Sequence, residues 1–417
     1  MLRQGSIIAT MVVEPLRFEA SGGVSRFAAE MRSEQAVRSP ALIQFNFLAD
    51  VDPPRALGDA WLAALIVPAM FVGESLEIRA PVSKRLTRTV QEFQRMFHSW
   101  FPELFQIVQV IIPETVPTSA ERDDGPAATF FSCGVDSWYS ALTHLNELRA
   151  LITVKGFDMP FNDQVVWPLT VRGVSEAASE LGLQSIKVET NIRDHADASF
   201  GVFKRKYEKN NFWGTYFHGV CLDAVALFLQ EQFARVYVPA SWHYPRLQAW
   251  GAHPLIDTYL SSGRVQIVHD GADAARADKI RAISKVPAAL RLLRVCAAYT
   301  RGQYNCGVCE KCRRTMFALR AVGVDVSQVP FNAPLNLRAL EQKPPKPYLY
   351  PIYQEIADEA AKRGDTELVE CIRMLTSGSP SVRREWHRWN TRMRRSVMKR
   401  WHRLRKPRNP SAGEGHQ

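Results

Sequence analysis

The sequence predicts an α/β fold: a parallel five-stranded sheet with flanking helices, preceded by an N-terminal α+β domain and followed by a helical C-terminal extension. Three observations carry this expectation. From Ala127 onward, short apolar runs alternate with segments of helical spacing, and parallel strands need such crossover connections. A serine-flanked, Gly-centred turn at residues 132–137 separates the first apolar run from an apolar-periodic segment, as a strand-to-helix turn does. With 417 residues, 46% of them hydrophobic, the chain can bury a large core and hold more than one domain.

Residues 1–122 form the expected N-terminal domain. They combine β-type runs at Ser75–Ile78 and Gln106–Ile112 with an amphipathic stretch over Ser83–Phe97. Nothing there carries obvious catalytic chemistry, so the expectation is a pocket wall or an interface. The apolar run Ala60–Val72 contains Pro68 and falls short of the roughly 20 residues of a membrane span, so it reads as a buried strand or helix. Ile7–Val13 is too short, and too soon interrupted by Glu14, for a signal h-region. A cytoplasmic location follows as an expectation. Loop-forming residues at Pro113–Ser119 and Glu121–Pro126 mark the domain boundary.

The core is expected over residues 126–322. Its strands fall at Ala127–Phe131, Leu151–Val154, Ile186–Val188, Val236–Pro239 and Val265–Val268, with helices over Trp138–Leu148, Leu169–Leu181 and Val220–Phe233. Ligands of open parallel sheets bind beyond the carboxyl ends of the strands, which directs attention to the residues after each run. After the first come Ser132, Cys133, Gly134, Val135, Asp136 and Ser137. Unsatisfied backbone N–H groups and the helix dipole favour a polyanion there, and two hydroxyls add donors. Gly134 permits close approach to phosphates, and Asp136 is placed to hold Mg2+ or steer the loop. The Walker pattern is absent, which argues against γ-phosphoryl chemistry on a P-loop.

After the second run, Lys155, Gly156 and Phe157 are candidates to receive adenine, the alternative being a plain turn with a packed Phe. Arg193 and His218 follow later; each is either a substrate contact or a satisfied structural side chain. His253 and Asp257 lie in a loop dense in aromatic and ionisable residues, a usual place for substrate recognition. After the fifth run, Arg276 and Lys279 put two cations one turn apart at a helix start.

Four of the seven cysteines, Cys296, Cys306, Cys309 and Cys312, form C-x9-C-x2-C-x2-C. Four thiolates at knuckle spacing suit structural Zn2+, with an iron–sulfur cluster as the rival. Cys221 and Cys371 lie in apolar helical contexts and read as core residues.

The hexapeptide Ser132–Ser137 resembles the S-G-G-x-D-S signature of the N-type ATP pyrophosphatases, with Cys133 in place of the first Gly. Taken with the downstream cysteines and Arg313, it is similar to the 7-cyano-7-deazaguanine synthases of queuosine biosynthesis. The resemblance covers about residues 126–322, under half of the chain. It implies a HUP-type fold, ATP at Ser132–Ser137 and Lys155–Phe157, and zinc on the four cysteines. It also implies adenylation of a carboxylate that ammonia then attacks, with Lys279 contacting the departing pyrophosphate. On this reading Asp136, Ser137 and Lys279 are the candidate catalytic residues. Charge stabilisation of the leaving group is what the chemistry needs most.

Residues 330–376 are expected to be a Pro-rich connector and a helical piece over Tyr353–Leu375, and residues 381–417 a basic amphipathic tail. Between Arg383 and Arg408 there are twelve Lys/Arg and one acid, so this segment holds the whole net charge of +11. Trp386, Trp389, Met393, Val397, Trp401 and Leu404 recur at helical steps. A partner protein or an anionic membrane surface is the expected ligand of residues 383–406. Nucleic acid is less favoured, because the neutral body offers no second basic patch.

Three functions stay open at this level. The first is ATP-dependent adenylation of a carboxylate or related oxygen on a small molecule, followed by attack of ammonia or another nucleophile. The second is tRNA or nucleobase modification, including thiolation with a role for the Cys133 thiol. The third is a nucleotide-binding, non-catalytic subunit of a bacterial defence complex.

Overall fold

The computed structural model describes residues 9–36, 38–118, 124–200, 212–297, 302–337 and 345–376. The chain divides into two compact units, residues 1–335 and 336–417. In the first unit the N-terminal strands are β1 (Thr10–Pro15), β2 (Glu19–Ser21), β3 (Val24–Arg32), β4 (Ala41–Phe47), β5 (Ser75–Ile78), β6 (Val82–Ser83), β7 (Val110–Ile111) and β8 (Thr115–Val116). Helices α1 (Leu57–Val72) and α2 (Lys84–Trp100) lie among them. The alternating part then runs β9 (Ala127–Phe130), α3 (Val135–Thr143), β10 (Leu148–Lys155), α4 (Val166–Leu181), β11 (Gln184–Thr190), α5 (Ile192–Phe200), α6 (His218–Phe228), β12 (Arg235–Pro239), α7 (Pro254–Asp257), β13 (Gln266–Asp270), α8 (Arg276–Ile283), α9 (Pro287–Arg291) and α10 (Glu310–Ala321).

The five strands expected from the apolar runs are β9 to β13, and they pair in parallel in the order β13-β12-β9-β10-β11. Counted along the chain this is the doubly wound order 3-2-1-4-5. The winding direction reverses between β9 and β12, and such a reversal opens a crevice at the carboxyl ends of the two strands.

The sheet does not stop at β11. That strand pairs antiparallel with β4, and the order continues β4-β3-β1-β5-β7, with β2 on β3, to give eleven strands among the described residues. The expected boundary near residue 122 therefore falls inside one compact unit. The Asn191 side chain prolongs the seam, accepting from Gln44 N at 3.0 Å and donating to Leu42 O at 2.9 Å.

The burial of alternate residues along β3 and β4 faces Phe27, Phe45 and Phe47 inward. There they meet Phe228 of α6, with ring centroids 4.7 to 6.0 Å apart, and Trp61 of α1 packs on the same ring at 5.3 Å. The run Ala60–Val72 is thus a helix buried on nearly all sides, with Pro68 inside it. Such a helix shows no polar face, which is why its periodicity was ambiguous.

In the second unit the expected helical piece is two helices, α11 (Tyr350–Lys362) and α12 (Thr366–Thr376), broken at Gly364. They pack together, and Ile356 and Ala360 of α11 and Leu368 and Ile372 of α12 are buried. The basic tail lies outside the described residues. No described helix is long and apolar enough to cross a membrane.

Candidate functional site

The turn Ser132–Ser137 lies at the carboxyl end of β9, beside the reversal point. The Phe131 N–H still bonds Ile152 O of β10 at 2.7 Å, after which the chain leaves the sheet. Gly134 is the N-cap of α3 in an ordinary extended conformation. The Ser137 hydroxyl donates to Gly134 O at 3.1 Å and accepts from Ser132 N at 3.3 Å, closing the turn on itself.

Cys133 has φ of 59°, and it is the non-glycine residue with positive φ among those described. A Cβ in that region is disfavoured by roughly 1–2 kcal/mol, so the backbone adopts at Cys133 the conformation that glycine takes most readily. The thiol is fully buried, and burial pushes it up to about 12. It is a protonated packing group at neutral pH. The Cys133 carbonyl accepts from Arg294 N at 2.8 Å.

Asp136, in the first turn of α3, meets two cations from α8: Arg276 at 3.1 Å and Lys279 at 3.2 Å. Lys279 also donates to Ala240 O, just beyond β12, at 2.6 Å. Its ammonium therefore sits across the crevice between β9 and β12. Burial would raise the Asp136 carboxyl, but Arg276 and Lys279 outweigh it and hold the group below the usual carboxylate range. Burial lowers the Lys279 ammonium, with Asp136 opposing. The three expected catalytic side chains, Asp136, Ser137 and Lys279, are thus together at the reversal point.

The other candidates divide. Lys155 is buried, 3.7 Å from Glu189 and over the Trp167 ring. Gly156 is a packing requirement: φ is 94°, and a Cβ would stand 1.7 Å from Thr190 O. Phe157 packs on Trp213 at 5.0 Å. Arg193 donates to the carbonyls of Phe157 and Asp158 and lies over the Trp213 ring, so it braces the loop after β10.

His218 follows one π-helical turn, Trp213–Phe217, a distortion frequent at functional sites. Asp158 faces it across this corner and accepts from Trp213 Nε1 at 3.4 Å. Its crowded surroundings would raise the Asp158 carboxyl, but Lys311, His218 and Arg193 hold it below the usual range. His253 caps α7 through Nδ1, and its backbone N–H donates to Asp257 Oδ1 at 3.0 Å. Asp257 Oδ2 lies 2.7 Å from His269 Nδ1 in the interior. His253 and Asp257 therefore bond to each other and to the fold.

The cysteines Cys296, Cys306, Cys309 and Cys312 converge, with all four Sγ atoms within 4.8 Å of one another. The turn has the form of a metal knuckle. The Cys309 N–H points to Cys306 Sγ at 3.3 Å and the Cys312 N–H to Cys309 Sγ at 3.5 Å. Gly307 between them has φ of 73° and abuts the Ala333 backbone, where a Cβ would meet Ala333 O at 2.5 Å. A hydrogen bond from the Cys312 thiol draws the Cys309 thiol down, and the shared proton raises Cys312. Four soft donors in a largely buried, closed shell fit a tetrahedral d10 ion.

Sequence reasoning missed Arg294, Tyr304, Asn305 and Lys311, which lie within three residues of one of the four clustered cysteines. Their nearness to that cluster was the available signal. Comparisons with protein-family models, with curated proteins and with solved structures returned no match.

Proposed function

We propose that this chain is an ATP-dependent synthase of the ATP pyrophosphatase type. It transfers AMP to a carboxylate or related oxygen of a small molecule and presents the activated carbon to ammonia or another nucleophile. The observation that carries the reading is the Cys133 conformation. At the position where the S-G-G-x-D-S signature has its first glycine, the backbone is left-handed, so the loop keeps the glycine-type shape under a different side chain. Its place at the winding reversal, with Arg276 and Lys279 gathered on Asp136, agrees with that reading.

In the reaction the acceptor oxygen attacks the α-phosphorus of ATP. The bond from that phosphorus to the bridging oxygen breaks, and pyrophosphate departs with the electron pair. The N–H groups at the start of α3 and the Ser132 hydroxyl bind phosphate oxygens, and the Ser137 hydroxyl joins them by turning from Gly134 O. Arg276 and Lys279, paired with Asp136 in the free protein, turn toward the leaving pyrophosphate, where negative charge grows. Ammonia then adds to the acyl carbon, AMP leaves, and the nitrogen loses a proton.

Asp136 is the carboxylate at the loop that would hold Mg2+ brought with ATP, an ion that offsets phosphate charge. Zn2+ on the four cysteines would supply structural closure, since a four-thiolate shell leaves no position for substrate. A thiolation role for Cys133 is disfavoured by its buried, protonated thiol.

The test is the phosphorus product distribution from purified protein with Mg-ATP, ammonia and a small-molecule extract of the host. AMP and pyrophosphate that depend on the extract, on Ser137 (Ser137→Ala) and on Lys279 (Lys279→Ala) are expected. ADP and phosphate would refute the proposal, and ATP bound without turnover would replace it with the non-catalytic nucleotide-binding subunit.

A further inference from the structure

We infer that Tyr304 and Asn305 are positioning residues that join the four-cysteine centre to the Ser132–Ser137 loop, so that metal occupancy sets the shape of the loop. The significance of the joint rests on the reading of that loop as the nucleotide site.

The connection is continuous. Residues 292–295 run between the loop and the first cysteine ligand, Cys296, and are held on both sides. Toward the loop, the Arg294 N–H donates to Cys133 O at 2.8 Å, at the left-handed residue itself. Toward the metal centre, Asn305 immediately precedes Cys306 and grips the same segment with its side chain. Its Oδ1 accepts from Val295 N at 2.9 Å, and its Nδ2 donates to Leu293 O at 2.7 Å. The Asn305 carbonyl accepts from Asn332 N at 2.9 Å, and Nδ2 also reaches Pro330 O at 3.4 Å, which fixes Asn305 to the segment after α10. Tyr304 adds a parallel link through its hydroxyl, which donates to Leu292 O at 2.7 Å.

Asn305 is fully buried, so no water competes for these bonds. A buried amide that satisfies backbone groups at residues 293 and 295 leaves little freedom to Arg294 between them. Cys296 and Cys306 stand at the two ends of this clamp. A metal that draws the four Sγ atoms together would fix the spacing of the 292–296 and 304–306 segments, and through Arg294 N it would fix the carbonyl of Cys133. Without the metal the four side chains are free to rotate apart and the clamp loosens, and Cys133 would be the first loop residue released from a costly conformation.

Hydrogen-exchange mass spectrometry of the full chain, zinc-loaded and after chelation, tests this without any nucleotide. Stripping zinc is expected to raise exchange in peptides covering 131–138 and 292–296 by roughly tenfold or more, the scale of one or two lost hydrogen bonds. Peptides from β10, β11 and β12 should be unchanged. Asn305→Ala, with about one zinc per chain retained by metal analysis, is expected to raise loop exchange to the stripped level. Tyr304→Phe keeps the ring and loses one link, and decides the matter if Asn305→Ala does not fold. An intermediate rise with zinc bound supports the joint.

Loop exchange indifferent to zinc would overturn the inference. So would an equal rise across the sheet, which would make zinc a general stabiliser. Mg-ATP titration of the same samples separates the two readings: coupling without ATP binding would sink the nucleotide site and leave the joint standing.

Discussion

Replacing Cys133 by alanine and by glycine isolates the conformational cost at the loop. Alanine keeps the Cβ and removes only the thiol, so the alanine-to-glycine step measures what a Cβ contributes at φ of 59°. Losing one buried methyl costs about 0.8 kcal/mol. The greater freedom of glycine in the unfolded chain costs about 0.7 kcal/mol more. Against these, removing the Cβ from the left-handed region returns about 1.5 kcal/mol. The step should therefore be close to neutral at position 133. Ala141, fully buried in the last turn of α3 with helical backbone, is the reference. There Ala141→Gly brings no conformational relief and should cost about 2 kcal/mol from lost burial and helix propensity. Urea unfolding of the zinc-loaded protein, followed by tryptophan fluorescence, gives both differences from midpoints at constant slope. If the step at 133 costs as much as the step at 141, the loop is not held in the glycine-type conformation, and the argument from loop shape fails.

Three further outcomes are expected. Burial raises the Asp59 carboxyl from 3.8 to about 7, with the bond from Ser83 N opposing. Below 3.8 both states are protonated; as pH rises the unfolded chain loses its proton first, so stability falls up to about pH 7 and then levels. The full loss is on the order of 4 kcal/mol, of which about 2.5 kcal/mol falls between pH 5 and pH 8, and Asp59→Asn, compared with wild type by unfolding at those two pH values, should remove that difference. Cys309→Ser should abolish stoichiometric zinc in metal analysis, whereas stoichiometric iron with a visible charge-transfer band in the wild-type protein would identify a cluster instead. Gly156→Ala forces a Cβ against Thr190 O at a positive φ, so thermal unfolding should reveal a loss on the order of 3 kcal/mol or more, and a silent substitution would contradict the described packing.

The parallel part of the fold was legible because five buried strands write themselves as uninterrupted apolar runs. Strand ends were less so. β10 begins at Leu148 and β11 at Gln184, ahead of the runs, where polar residues such as Gln184 and Ser185 join the ladder. The antiparallel meander leaves a weaker trace: Phe27, Ala29 and Met31 recur at every second position of β3, but Ala28 between them breaks the apolar–polar alternation. Its union with β11 depends on Asn46 and Glu189 facing each other across the register, a long-range match that no local pattern carries.

At the site, the loop and the cysteines were visible from spacing, and Asp136 with Lys279 from their positions after strands. Arg193 and Asp257 looked like ligand contacts because a lone charged residue in a loop carries no mark of its partner. In the fold one holds carbonyls and the other a histidine. Tyr304 and Asn305 act through backbone groups ten to twelve residues away, a reach that no local pattern carries.

The seam between β4 and β11 has a consequence for how this protein can be divided. A fragment beginning near residue 126 would retain the loop and the cysteines, yet it would present the hydrogen-bonding edge of β11 at Val188–Thr190 to solvent. It would also strip Phe27, Phe45, Phe47 and Trp61 from the ring of Phe228. An unprotected edge beside a bared aromatic face recruits other chains. The segment from Thr10 to Trp61 thus shields the rest: it need touch no reactant, and its removal would be registered as precipitation rather than as lost turnover.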